Sequence, residues 1–217
     1  MTSKSILIHK VGLYCPETHP NQHPLIVTGK QQIDLDSYFM YLKSGVDLEG
    51  RVISIIGDID EQSHSLLIRG LQKMWEINHD PEDEGSHINI DISSYGGVAS
   101  MGLAAYDVLR QSPVPIIATA VGPVQSAALL IYLGGQVRQS LPHCEFMAHS
   151  AWGGNVGTEV DQSISLNSLK KLNRDYCNIL GENSKKDSSW WYKKIKDNKD
   201  YVFYYDKAVQ LGVINHG

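Results

Sequence analysis

Cysteine is scarce in this chain, and its placement excludes more than its number does. Cys15, Cys144 and Cys177 are odd in count, widely separated and form no Cys-x-x-Cys pair. That argues against a disulfide framework, gives no zinc signature and fits a reducing compartment. Long apolar runs are missing too: the longest stretch ends at Gly134-Gly135 and Gln136, short of a membrane span. Ile6-Leu7-Ile8 is too brief for a signal-peptide core. Both absences predict a cytoplasmic protein with no membrane partner. Nor is there an excess of positive charge, since 19 Lys and Arg face 24 Asp and Glu, and a net charge of −5 speaks against nucleic acid as a partner. Repeats, low-complexity tracts and linker-like stretches are absent from the sequence. What remains is a chain of 217 residues, enough for one sizeable core.

The elements follow from hydrophobic period. Residues 1–30 carry Pro16, Pro20 and Pro24 and read as an irregular N-terminal arm, with one domain over 31–217. Asp34 to Lys43 has helical spacing, Val52–Ile56 is an apolar strand, and Gln62–Ile77 repeats as an amphipathic helix. Asp80 to Gly85 is an acidic loop. His87–Ile92 alternates like a half-buried strand and runs into Ser93-Ser94-Tyr95-Gly96-Gly97, followed by a helix over Met101–Arg110. Val137–Leu141 and Glu145–Met147 read as short strands, and residues 159 to 181 as the longest helix. Ser188–Lys196 and Asp206–Leu211 complete the helical set. Strands alternating with helices predict an α/β class.

The organising stretch is Ile116 to Leu133. Its β-branched start is a buried strand, Gly122-Pro123 is expected to stop it, and Ser126 opens an Ala/Leu-rich helix. On this window alone Ser126 is a helix cap. The competing reading makes it a nucleophile, because helix-end N–H groups favour developing negative charge. Single histidines such as His64 and His143 read as surface or satisfied core residues. His149 differs in context, lying after Leu141-Pro142 and Met147-Ala148 and before the glycine-rich Trp152 to Gly157.

These pieces join in one pattern. Ile90 to Val98 with its Gly96-Gly97 turn resembles the strand and Ser-Pro-Gly-Gly turn of the Clp protease proteolytic subunit, the ClpP family. Gly122-Pro123-Val124-Gln125-Ser126 resembles that family's Gly-x-Ala-x-Ser turn, and Met147-Ala148-His149 its histidine strand. Lys199-Asp200 through Leu211-Gly212-Val213-Ile214 is similar to its ending. The likeness covers roughly residues 30–215 in the order Ser, His, Asp.

The resemblance implies a ClpP/crotonase-like spiral of ββα units with a protruding long-helix handle over about 155–200. It implies a serine endopeptidase with Ser126 as nucleophile, His149 as general base and Asp200 as its orienting carboxylate. Gly97 and Ala127 would supply oxyanion N–H groups, and Val98, Ser150 and Ala151 would pair with the substrate backbone. It further implies two stacked heptameric rings, a hexameric AAA+ unfoldase of the ClpX or ClpA type as partner, and polypeptide substrates. The peptidase itself would need no cofactor or metal, ATP being used by the unfoldase. Tyr95 stands where the family has proline, Ala127 where it has Met, Ser150-Ala151 where it has Gln-Pro, and Lys199 where it has a ring-contacting Arg. Three alternatives stay open: an inactive ring subunit of the same family, a phage head-maturation protease, and an acyl-CoA enzyme of the crotonase fold.

Overall fold

The computed structural model describes residues 5–7, 32–34, 41, 43–77, 87–154, 156–196 and 199–216. Two strands lie apart from the rest: β1 (Ser5–Leu7) pairs antiparallel with β2 (Gln32–Asp34). The remainder of the arm, most of the Asp34–Lys43 segment and the 80–85 loop lie outside the described residues, though Asp34 itself closes β2.

The main sheet is built from β3 (Val46–Asp47), β4 (Val52–Ile56), β5 (Ile88–Ser94), β6 (Ile116–Gln125), β7 (Val137–Ser140), β8 (Glu145–Ala148) and β9 (Tyr201–Tyr204). Its order is β3-β4-β5-β6-β8-β9, with β7 also paired to β6. The centre is parallel and both edge strands are antiparallel. Parallel neighbours need crossovers, and helices α1 (Glu61–Ile77) and α2 (Ala99–Arg110) provide them. The architecture is α/β, as the alternation of periods predicts. On β5 every second residue is buried, so Ile88, Ile90 and Ile92 face the core with Ile53, Ile55, Ile116 and Ala118. Leu67, Leu71 and Met74 of α1 cover that face. Helix α3 (Ala127–Leu133) has no polar side and is buried at every position, so it lies inside the core.

One expectation fails here. Gly122-Pro123 does not stop the central strand, because β6 continues to Gln125. Instead the dipeptide sits where β6 changes partner: residues 117–120 pair with β7, and Val124 and Gln125 pair with β8. The register with β5 shifts at the same point, between Ile92 and Ser94. A bulge leaves ladder groups unpaired, so a residue without an N–H is tolerated there. Gly122 also has no room for a side chain, since a Cβ would lie 2.2 Å from Ser93 Oγ.

Beyond β8 the chain enters the long helix α4 (Glu159–Glu182), then α5 (Ser188–Ile195). The edge strand β9 follows, a strand that the hydrophobic period does not reveal, and α6 (Tyr205–Leu211) ends the described helices.

Candidate active site

Because β4, β5, β6 and β8 run parallel, their carboxyl ends gather along one rim of the sheet, where α/β folds place reactive groups. Ser126 leaves β6 at that rim and enters α3 with φ 54° and ψ −121°. Backbone at positive φ is disfavoured for any residue with a Cβ. It is held there because the Ser126 N–H donates to Met147 O at 2.8 Å while α3 starts at the next residue. The cap reading does not hold, since the hydroxyl bonds no helix N–H. Its Oγ lies 2.7 Å from His149 Nε2 instead.

His149 directly follows the end of β8, and Asp200 directly precedes β9. These strands are antiparallel with Ala148 opposite Tyr201, so the next step outward sets His149 across from Asp200. Nδ1 of His149 is 3.6 Å from Asp200 Oδ1. The imidazole is mostly covered, 19% exposed, whereas the carboxylate is 63% exposed. Ser126, His149 and Asp200, remote in sequence, therefore form one row. Tyr201 next to Asp200 is fixed in an aromatic cluster with Trp190, Trp191 and Phe203, which anchors the carboxylate's backbone.

The glycine turn lies against this row. A Cβ on Gly96 would come 2.6 Å from Ser126 Cβ and 3.2 Å from Ala127 N, and one on Gly97 only 2.2 Å from Ile59 O. The two glycines have φ of 105° and 151°, so both space and conformation demand glycine. Ile59 N–H donates to Gly96 O, and Val98 N–H donates to Ile59 O. In such a parallel bridge the central residue's own groups point away from the partner, so the Gly97 N–H turns from Ile59. Ala127 is the first residue of α3, and its N–H has no intrahelical acceptor. A rim holding a hydroxyl, an imidazole, a carboxylate and two such N–H groups has the parts for acyl transfer.

Of the residues expected to meet a substrate backbone, Val98 is exposed at the start of α2. Ser150 Oγ donates to Ile195 O at 2.7 Å. Ala151 has both backbone groups engaged: its N–H donates to Asn173 Oδ1 at 2.7 Å, and its C=O accepts from Asn173 Nδ2 at 3.2 Å. Sequence reasoning also misses Tyr176 on α4. This buried phenol donates to Ser126 O at 3.4 Å, and burial pushes its proton affinity far above the ordinary range. Tyr176 belongs to an apolar helical repeat and carries no local sign of its contact with the elbow. Asn173 shows only a faint sign, a poor helix former inside a long helix.

Among the described residues no helix is long and apolar enough to cross a membrane. A family model described as Clp protease matches residues 39–216. That span takes in all the residues gathered at the rim, and the chain belongs to the Clp protease family.

Proposed function

We propose that this protein is a serine endopeptidase, the proteolytic subunit of an ATP-dependent Clp-type protease. The observation that carries the reading is the 2.7 Å approach of Ser126 Oγ to His149 Nε2 at a strained strand-to-helix elbow. In the reaction, Nε2 takes the hydroxyl proton as Oγ attacks a peptide carbonyl. Nδ1–H faces Asp200, which steadies the imidazolium; a small approach of this exposed carboxylate closes the 3.6 Å gap as positive charge develops. The N–H groups of Gly97 and Ala127 receive the oxyanion. His149 then protonates the leaving amine, and water repeats the sequence on the acyl-enzyme. Val98 and the segment after His149 border the cleft and pair with extended peptide backbone, a mode that tolerates many sequences.

Membership of the family supports ring assembly and an AAA+ unfoldase that feeds unfolded polypeptide to the site, with the peptidase using neither metal nor nucleotide. The test is Ser126→Ala. Peptide hydrolysis and labelling by a fluorophosphonate should both be lost, while native mass measurement shows the same assembly as wild type. Turnover that persists in the variant removes Ser126 from the mechanism.

A further inference from the structure

The segment after His149 is held in an unusual way. Residues 149–154 belong to no strand of the sheet, and Trp152 beyond them is 81% exposed. Two side chains fix this stretch: Ser150 through Ile195 O, and Asn173 through both backbone groups of Ala151. A residue whose N–H and C=O meet one planar amide sits as in the hydrogen-bonded position of an antiparallel pair. Asn173 thus takes the place of a neighbouring strand on the side of α4. In extended backbone the groups of the flanking residues point the opposite way, so the clasp directs the peptide groups of Ser150 and Trp152 away from α4.

The clasp stands on a firm base. Tyr176 lies one helical turn beyond Asn173 on the same face, buried, and reaches the Ser126 carbonyl. One face of α4 therefore fixes both the elbow that carries Ser126 and the loop that follows His149.

We infer that Asn173 is a positioning residue for substrate: its carboxamide pre-orders residues 150–152 as a one-sided strand edge against which a peptide pairs. The inference rests on the peptidase reading above. An edge already ordered binds a peptide without first losing backbone freedom, so removing the clasp should weaken binding of extended peptides and spare the chemistry at Ser126.

The test compares the full-length wild-type assembly with Asn173→Leu, which keeps bulk and loses both bonds, and Asn173→Asp, which keeps the acceptor toward Ala151 N–H. For a fluorogenic tetrapeptide amide, KM should rise about tenfold in Asn173→Leu, the scale of one residue's ordering, and by less in Asn173→Asp. The rate of labelling by a small fluorophosphonate, which needs Ser126 and His149 but no pairing edge, should stay at the wild-type value. Unchanged KM in the variants overturns the inference. So does labelling that falls in step with peptide turnover, because Asn173 would then act on the Ser126–His149 pair. If Asn173→Leu fails to assemble, Asn173→Asp decides alone. A wild-type protein that neither labels nor cleaves removes the peptidase reading itself, and the role of Asn173 with it.

Discussion

At Ser126 a serine occupies backbone that suits glycine, with φ 54°. Such a conformation costs on the order of 1–3 kcal/mol for a residue with a Cβ, and here it aims the hydroxyl at His149. The strain and the close approach to His149 are one feature seen from two sides. A consequence is that Ser126→Gly should be more stable than Ser126→Ala by about 1 kcal/mol, reversing the order usual for ordered backbone. Thermal denaturation of the two variants checks this, and equal or lower stability of the glycine form would mean that the elbow carries no strain. Ser126, the glycine turn and His149, which the structure brings together at the rim, were legible because each sits beside backbone punctuation: Gly122-Pro123 before Ser126, Gly96-Gly97 itself, Pro142 and a glycine-rich loop around His149. Asn173 left only the faint sign of a poor helix former within a long helix and Tyr176 none, since a helical side chain that reaches the backbone of a distant loop need not depart from the helical pattern at its own position.

Among the elements, the helices and the buried parallel strands were readable from period alone. The two misreadings share a cause. Gly122-Pro123 looks like a strand end, yet tertiary pairing uses it as the bulge where β6 passes from β7 to β8. The run Tyr201-Val202-Phe203-Tyr204 consists of strand formers but lacks alternation of apolar and polar residues, so period alone does not declare β9, although its pairing with β8 is what sets Asp200 opposite His149. The long helix α4 shows how a local device sustains an exposed element. Its first turns leave Val160, Ile164 and Leu166 exposed, so packing contributes little there within this chain. A capping box does instead: Thr158 Oγ1 accepts from Asp161 N–H, and Thr158 N–H donates to Asp161 Oδ2 at 2.9 Å. The Thr158 hydroxyl and N–H bonds hold the Asp161 carboxyl below its ordinary 3.8. The folded value lies below the unfolded one, so the contribution is complete above 3.8 and is lost as pH falls through the lowered folded value. Thr158→Ala should reduce amide protection across residues 161–163 several-fold at neutral pH. The wild type should lose the same protection on acidification and not on alkalinisation, as amide exchange will read.

For the molecule as a whole, three remote stretches meet on a buried cation that has no carboxylate partner among the described residues. Arg138, 5% exposed on β7, donates to Val213 O, Gly135 O, Asn183 O and Gly212 O. Those carbonyls belong to the turn after α3, the end of α4 and the turn after α6, so one guanidinium ties three remote stretches to the sheet. Burial lowers its hold on the proton, with the nearby Tyr132 phenol acting in the opposite sense. Four carbonyl dipoles in place of one carboxylate offset that desolvation and leave no partner charge to bury. The backbone of Arg138 joins the same tie: its N–H donates to Asn215 Oδ1, and its C=O accepts from the N–H groups of Asn215 and His216. Arg138→Met keeps an unbranched stem, loses the guanidinium and strands the carbonyls without donors. It should cost at least about 3 kcal/mol in urea denaturation and speed amide exchange across residues 213–216. Because Asp200 and β9 lie between α5 and this tail, the loosened variant should also lose peptide turnover before it loses its helical circular dichroism as urea is raised. Stability and amide exchange that match wild type would show that the three stretches hold together without the guanidinium.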